Sequence, residues 1–259
     1  MKIPENMPGV TKHLISFLDS SPTAEWAVSS LIDELQESGF EELEESKEFD
    51  LKLGDKFFVK RNDSSLLAGI VGKNDLAGDG FKIIGAHTDS PGFRVKYDGM
   101  YENEGYKQLG VEIYGGPLIA SWTDRDLSLA GKVAVKKGDE IITQIWKSDR
   151  NLLRIAQLPI HLNREVNDEG LKLHKEKHLP PIIGQANEGE FSRESIKELI
   201  ADDVGIEPDE TKDFDLKLYD TQPASSLGIE NEFFTSGRLD NLMASYCAID
   251  SLTNITSVP

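Results

Sequence analysis

The most informative stretch of the sequence is Phe-Lys-Ile-Ile-Gly-Ala-His-Thr-Asp-Ser-Pro, residues 81–91. Its first six residues are mostly apolar and polar residues follow directly, which predicts a buried strand that ends on His87. Ligand sites of open α/β sheets gather at the carboxyl ends of strands. There an imidazole can bind zinc through one nitrogen, while a carboxylate two residues on, Asp89, accepts a hydrogen bond from the other. A histidine at a strand end is more often a turn or hydrogen-bonding residue, so this pair alone does not establish a metal site.

Two helices are predicted ahead of this strand. The first has apolar residues at helical spacing over residues 10–18. Ser21-Pro22 predicts the start of the second, with the serine as N-cap and the proline at the first helical position, and Gly39 predicts its end. Apolar runs at 57–59 and 66–71 predict strands. Helices followed by strands indicate an α/β fold in which the two layers pack on each other.

After residue 92 the pattern changes to short strand-like runs separated by Gly, Asp and Asn. These runs are residues 94–97, 109–114, 127–136 and 140–146. One strong helix, Arg193 to Ala201 with Ser192 as its N-cap, interrupts them. We therefore predict an α/β unit made of residues 1–92 and 236–259, with a mostly β insertion at 93–235.

Composition excludes several classes of partner. The chain has 46 acidic against 28 basic residues and a net charge of −18, which repels nucleic-acid phosphates and anionic lipid. A single cysteine, Cys247, excludes an internal disulfide framework and fits a reducing compartment. The N-terminus lacks the apolar core of a secretion signal, and no uncharged apolar run approaches the length of a membrane span. We predict a cytoplasmic protein with no nucleic-acid or membrane partner.

A second motif, Ser-Gly-Arg-Leu-Asp-Asn at residues 236–241, lies at a predicted turn between a strand and a helix. A carboxylate in such a turn can bridge two divalent cations with its two oxygens, which would make Asp240 a metal ligand. The alternative is that Asp240 or Asn241 caps the helix that follows. In isolation the motif favours the cap.

Together, Ala-His-Thr-Asp-Ser-Pro at 86–91 and Ser-Gly-Arg-Leu-Asp-Asn-Leu at 236–242 resemble the aspartyl aminopeptidase family. Further segments that resemble the family in the same order are residues 21–23, 57–62, 122–128 and 215–220. The resemblance implies a zinc-peptidase-like α/β catalytic domain interrupted by a β-rich lid and dimerisation domain. It also implies peptide substrates, two Zn²⁺ per complete active site, replaceable by other divalent metals, and a homo-oligomer in which dimers build a dodecamer.

Carried over by residue, the resemblance makes His87 a ligand of one metal and Asp89 the catalytic-site carboxylate that orients it. Asp240 would be the ligand that bridges the two metals. His161, in Pro-Ile-His-Leu at 159–162, resembles the histidine that reaches a neighbouring subunit's active site and contacts substrate. Without the resemblance, His161 would be an ordinary strand histidine. Trp26 departs from the family, which commonly has histidine there, but that position is not a metal ligand.

The region after Asn241 departs further. The family has a Glu-Glu pair (general base and ligand), another acidic ligand and a final histidine beyond the bridging aspartate. Here no glutamate or histidine follows Asn241, and Asp250 is the one carboxylate. Because a zinc site takes about four ligands, we expect the chain to be a fragment or a degenerate relative, without appreciable turnover alone.

Three functions therefore stay open. The first is a metalloaminopeptidase that removes N-terminal, preferably acidic, residues from peptides with a water activated by two zinc ions. The second is a catalytically incomplete homologue or fragment that acts only in assembly or binding. The third is a related two-metal aminopeptidase with another specificity.

Overall fold

The computed structural model describes residues 7–73, 80–186 and 190–256, which form two compact units. The first comprises the described residues of Met1–Ser90 and Pro223–Pro259, and the second comprises those of Pro91–Gln222. The segment 223–235, which the sequence assigns to the insertion, lies in the first unit. The lid and dimerisation role of the insertion stays a prediction.

The first unit begins with two helices, α1 (Gly9–Ser20) and α2 (Ala24–Glu37). The predicted N-cap at Ser21 is wrong, because Ser21 closes α1 instead: its N–H donates to the Leu18 carbonyl (3.3 Å). Thr23, in an extended conformation, is the N-cap of α2. The second helix therefore starts later than Ser21-Pro22 suggests.

The predicted end of α2 at Gly39 is confirmed. Gly39 has φ +81°, a conformation that glycine adopts without strain. The chain can then reverse, and the Phe40 N–H donates to the Leu35 carbonyl (3.0 Å), a bond typical of helix ends of this kind. Phe40 is buried with Leu35 and Phe58.

Three strands follow α2: β1 (Glu41–Glu42), β2 (Lys56–Arg61) and β3 (Ser65–Ile70). They form one sheet in the order β1-β2-β3, with β1 parallel and β3 antiparallel to β2. The two strands predicted at 57–59 and 66–71 are thus confirmed.

The predicted buried strand at residues 81–86 is wrong. The segment has no regular secondary structure, and Phe81, Ile83 and Ile84 are 75%, 84% and 71% exposed. A strand needs a neighbour that pairs with its backbone groups. Within the described residues, none of the three sheets contains such a neighbour.

The second unit is built on a six-stranded sheet in the order β7-β6-β9-β4-β5-β8, with antiparallel neighbours. The strands are β4 (Gly92–Asn103), β5 (Tyr106–Tyr114), β6 (Leu127–Lys137), β7 (Glu140–Lys147), β8 (Ile182–Gln185) and β9 (Thr211–Asp220). The four strand-like runs of the sequence coincide with β4 to β7. In the described residues of this unit, strands therefore account for more residues than helices do.

Among the described residues of this unit, three α-helices accompany the sheet: α3 (Val166–Glu169), α4 (Lys175–His178) and α5 (Arg193–Val204). The last begins after Ser192, as predicted, and the Ser192 N–H donates to Ser195 Oγ (3.3 Å). Ile196 and Ile200 of α5 are buried in one cluster with residues of the sheet. No helix in the described ranges has the length and apolar character needed to cross a membrane.

The chain then returns to the first unit through the antiparallel pair β10 (Ser225–Leu227) and β11 (Phe233–Thr235) and ends in α6 (Leu239–Thr253). Leu242 and Tyr246 of α6 are buried with residues of α1 and α2. Burial raises the pKa of Tyr246 to about 12. Just before α6, Arg238 donates to the Leu18 and Ser21 carbonyls (3.2 and 3.0 Å). The start of α6 is therefore fixed to the end of α1.

Candidate metal centre

The His87 backbone is held by side chains, although no strand precedes it. Its N–H donates to Asn241 Oδ1 (3.2 Å) and its carbonyl accepts from Ser245 Oγ (2.9 Å). The next residue, Thr88, donates through Oγ1 to the Ser64 carbonyl (2.9 Å). Because Asn241 and Ser245 both belong to α6, these two hydrogen bonds hold His87 close to the first turns of α6.

These hydrogen bonds bring His87 close to Asp240, which lies 153 residues later in the sequence. His87 Nε2 lies 3.5 Å from Asp240 Oδ1. Two donors that each bind one zinc ion at about 2 Å must lie within about 4 Å of each other, so the distance fits a shared ion. The side chains of His87 and Asp240 are 52% and 94% exposed, so the pair is open on its solvent side.

Asp89 lies against the other nitrogen of the same imidazole. His87 Nδ1 is 3.0 Å from the Asp89 carbonyl oxygen and 3.4 Å from its carboxylate Oδ1. Since both oxygens accept hydrogen bonds, they favour the tautomer that carries its proton on Nδ1, and in that tautomer Nε2 would be the nitrogen that binds a metal. The sequence points to the carboxylate as the partner, whereas the backbone carbonyl is the closer of the two.

Asp240 and Asn241 do not cap α6. The N-cap position is Arg238, with φ +60°, and no side chain makes a capping hydrogen bond there. Asp240 (φ −84°, ψ 110°) and Asn241 (φ −117°, ψ 17°) are non-helical, and the peptide bond between them is cis. The Asp240 side chain therefore lies free of the helix start and faces His87. The Asn241 side chain accepts a hydrogen bond from the His87 N–H.

Sequence reasoning missed Asn241 and Ser245 as positioning residues. Both bind the His87 backbone, and Ser245 is buried, with 4% exposure. One signal was present in the sequence: Ser245 is a polar residue among the apolar neighbours Met243, Ala244 and Tyr246.

We expect Ser245→Ala to weaken zinc binding about threefold to tenfold, because it leaves the His87 carbonyl without its donor and lets the imidazole move. Zinc competition with a chromophoric chelator measures this change. The control is Ser251→Ala, at an exposed position of the same helix. Equal affinities for both variants would show that Ser245 does not position His87.

His161 lies in the second unit. It is exposed and belongs to a turn in which the Leu162 N–H donates to the Pro159 carbonyl (2.9 Å). The alternative of an ordinary strand histidine is therefore wrong, and its role in substrate binding stays a prediction.

The donor set around His87 is small. Within the described ranges, no group of three or more His, Cys, Asp or Glu side chains is arranged to hold a metal ion. The imidazole nitrogen and the carboxylate oxygen are both donors that zinc accepts. The pair therefore fits zinc in chemistry and distance, and would supply two of the about four ligands that a zinc site takes.

Comparison with known proteins shows a consistent relationship. The sequence model described as "Aminopeptidase I zinc metalloprotease (M18)" matches residues 17–258. A "Probable M18 family aminopeptidase 2" from Clostridium novyi (strain NT) is 39% identical over 244 residues, which are 93% of this chain and 56% of the relative. The protein of the same name from Stutzerimonas stutzeri (strain A1501) is 40% identical over 245 residues, 92% of this chain and 56% of the relative. The chain thus spans little more than half the length of these relatives.

Solved structures are similar over nearly the whole chain. A chain of the cryo-EM structure of the Ape4 and Nbr1 complex has a TM-score of 0.91 and 36% identity, covering 98% of this chain and 52% of that one. Chaetomium thermophilum mApe1 has a TM-score of 0.86 and 30% identity, with coverages of 95% and 58%. The S. cerevisiae mApe1 dodecamer has a TM-score of 0.76 and 26% identity, with coverages of 96% and 58%.

Proposed function

Because the chain belongs to the aminopeptidase I (M18) family of zinc metalloproteases, we propose that it functions in a metalloaminopeptidase. That enzyme would hydrolyse the N-terminal residue from peptides. Zinc would be held by His87 and Asp240. The observation that carries this proposal is the 3.5 Å distance between His87 Nε2 and Asp240 Oδ1.

Each residue of the site has a distinct task in this proposal. His87 and Asp240 would donate to the metal, and Asp89 would keep the imidazole proton on Nδ1. Asn241 and Ser245 hold the His87 backbone in place beside Asp240. Bound zinc would supply an activated water and polarise the scissile carbonyl.

A centre with two zinc ions is part of the proposal. The Asp240 side chain is 94% exposed, so its second oxygen can reach a second ion on the solvent side while Oδ1 faces His87. Two bound zinc ions would together activate a water and stabilise the oxygens of the reacting group. Asp240 would be the bridging ligand.

The finer assignments rest on resemblance and composition. A preference for acidic N-terminal residues follows from the likeness to aspartyl aminopeptidases. A homo-oligomer, with His161 contributed to a neighbour's site, is supported by the exposure of His161 and by a dodecameric neighbour. A cytoplasmic location fits the single cysteine.

The test is a chimera in which this chain is fused to the part of the Clostridium novyi relative that it does not match. We expect zinc-dependent hydrolysis of aspartyl and glutamyl p-nitroanilides, faster than that of leucyl p-nitroanilide, which chelation removes and zinc restores. The chimera carrying His87→Ala is the control and should be inactive.

The second candidate is a homologue that only binds or assembles. It is favoured by the number of proposed donors, because His87 and Asp240 are two of the about four ligands that a zinc site takes. A chimera that folds and binds zinc but hydrolyses none of the three substrates would select this candidate.

A further inference from the structure

The side chain of Arg238, two residues before Asp240, reaches back to the end of α1. Its Nε donates to the Ser21 carbonyl (3.0 Å) and its Nη2 to the Leu18 carbonyl (3.2 Å), and Leu18 and Ser21 are both fully buried. Carbonyls at the end of a helix have few N–H donors within that helix and favour a positive charge beside them. The last turn of α1 contains no basic residue of its own. Arg238 therefore supplies the cation from a distant part of the sequence.

The backbone of Arg238 is held in a conformation that arginine seldom adopts. Its φ of +60° and ψ of 21° lie in the left-handed region. Glycine adopts this region without strain, whereas any residue with a Cβ is strained there and persists only where its surroundings hold it. The two hydrogen bonds from the guanidinium to α1 offset that strain. They fix one conformation of the turn that leads into Asp240.

Asp240 depends on this turn because its own side chain is not held by burial. The side chain is 94% exposed, so its position is set through its backbone neighbours. On one side Leu239 packs against the apolar cluster of α1, α2 and α6, and Arg238 precedes it. On the other side Asn241 binds the His87 N–H (3.2 Å). Because consecutive Cα atoms are only about 3.8 Å apart, a shift of Arg238 moves Asp240 relative to His87.

The end of α1 also binds the returning chain at a second point. The N–H of Ala224, a buried residue just before β10, donates to Asp19 Oδ1 (2.8 Å). The segment 224–238 is thus attached to the end of α1 at its first and its last residue. This arrangement makes the end of α1 the reference point from which the chain enters Asp240.

We propose that Arg238 is a positioning residue of the candidate metal centre. By binding the end of α1, it sets the distance between the Asp240 carboxylate and the His87 imidazole. The planar guanidinium suits this task because it presents neighbouring N–H groups to two carbonyls at once. The inference rests on the proposed function, in which His87 and Asp240 hold zinc, and it extends that function to a residue that does not touch the metal.

The test compares the parent chain with Arg238→Gln in two measurements. In metal-free protein, exchange of the His87 amide hydrogen should become about tenfold faster, because the start of α6 that carries Asn241 is no longer fixed. Zinc affinity, measured by competition with a chromophoric chelator, should fall about tenfold, the lower end of what loss of an outer partner of a metal ligand costs. If the parent binds zinc, an unchanged value in either measurement overturns the proposal. A parent that binds no zinc counts against the proposed function, and the exchange measurement then decides on Arg238 alone.

Leu35→Ala separates positioning from stability. Leu35 is buried with Phe40 and Phe58 at the other end of α2, so this change destabilises the same unit and leaves the contacts of Arg238 in place. At a temperature where both variants are folded, we expect Leu35→Ala to match the parent in zinc affinity and in exchange at His87. Losses equal to those of Arg238→Gln would show that Arg238 acts only through stability, which contradicts the proposal.

Arg238→Lys is the conservative variant, and it keeps the test decisive if Arg238→Gln does not fold. Lysine retains the positive charge but lacks the planar fork that reaches both carbonyls. We expect its zinc affinity to lie between those of the parent and Arg238→Gln, about threefold below the parent, with a smaller increase in exchange at His87. An Arg238→Lys chain that equals the parent in both measurements contradicts the proposal.

Discussion

The largest expected effect on the site is that of His87→Ala, which should lower zinc affinity more than about 100-fold. Loss of an outer partner of a metal ligand already costs about 10-fold to 100-fold, and this change removes one of the two proposed donors. The remaining carboxylate of Asp240 is 94% exposed and would bind zinc no better than other surface carboxylates. Isothermal titration calorimetry with zinc measures the change.

The matched control is His13→Ala, at an exposed position of α1 in the same unit, which should bind zinc like the parent chain. Asp240→Asn should reproduce the loss, because it keeps the size of the side chain and removes its charge. Asp250→Asn, later on α6, should not. Equal loss in His13→Ala and His87→Ala would show that zinc binds elsewhere.

The largest expected effect on stability is that of Gly131→Ala in the second unit. A Cβ at Gly131 would lie 2.1 Å from the Asp215 carbonyl oxygen and 3.1 Å from Leu216 Cα. Both atoms belong to the backbone of β9, which pairs with β6 at this point, so no side chain can move to make room. The two strands must separate, and we expect a loss of more than about 3 kcal/mol in the free energy of unfolding.

Gly184→Ala is the control for this change. Gly184 also lies in a strand of the same sheet, and its added Cβ would meet only Lys107 Cδ, at 3.9 Å. We expect its free energy of unfolding to stay within about 1 kcal/mol of the parent. Urea unfolding followed by tryptophan fluorescence measures both, since Trp146 pairs with Gly131 and is buried. A Gly131→Ala chain as stable as Gly184→Ala would contradict the close approach of β6 and β9.

The sequence predicted the elements whose pattern is local. Apolar spacing in α1, the cap before α5 and the strand-like runs in β4 to β7 locate those elements, because each signal lies within its own element or directly beside it. The segment 81–86 has an equally clear apolar pattern. It failed as a prediction because a strand also depends on a partner, and no partner lies in the described residues.

The sequence predicted only part of the candidate site. His87, Asp89 and Asp240 were selected by resemblance to family motifs, and the structure places their side chains together. Asn241 and Ser245 were missed because they bind the His87 backbone, and such contacts leave little trace in residue type. Ser21 was misplaced as a cap because two helices lie close enough that one residue can end the first or start the second.

The most direct test of the central claim is a crystal structure of the chain soaked with zinc, with anomalous diffraction at the zinc edge. We predict an anomalous peak about 2.0–2.1 Å from His87 Nε2 and about 2.0–2.2 Å from a carboxylate oxygen of Asp240. Asp89 would remain in contact with Nδ1 of the same imidazole ring. An anomalous peak at other residues, with none between His87 and Asp240, would contradict the claim that this pair holds the metal.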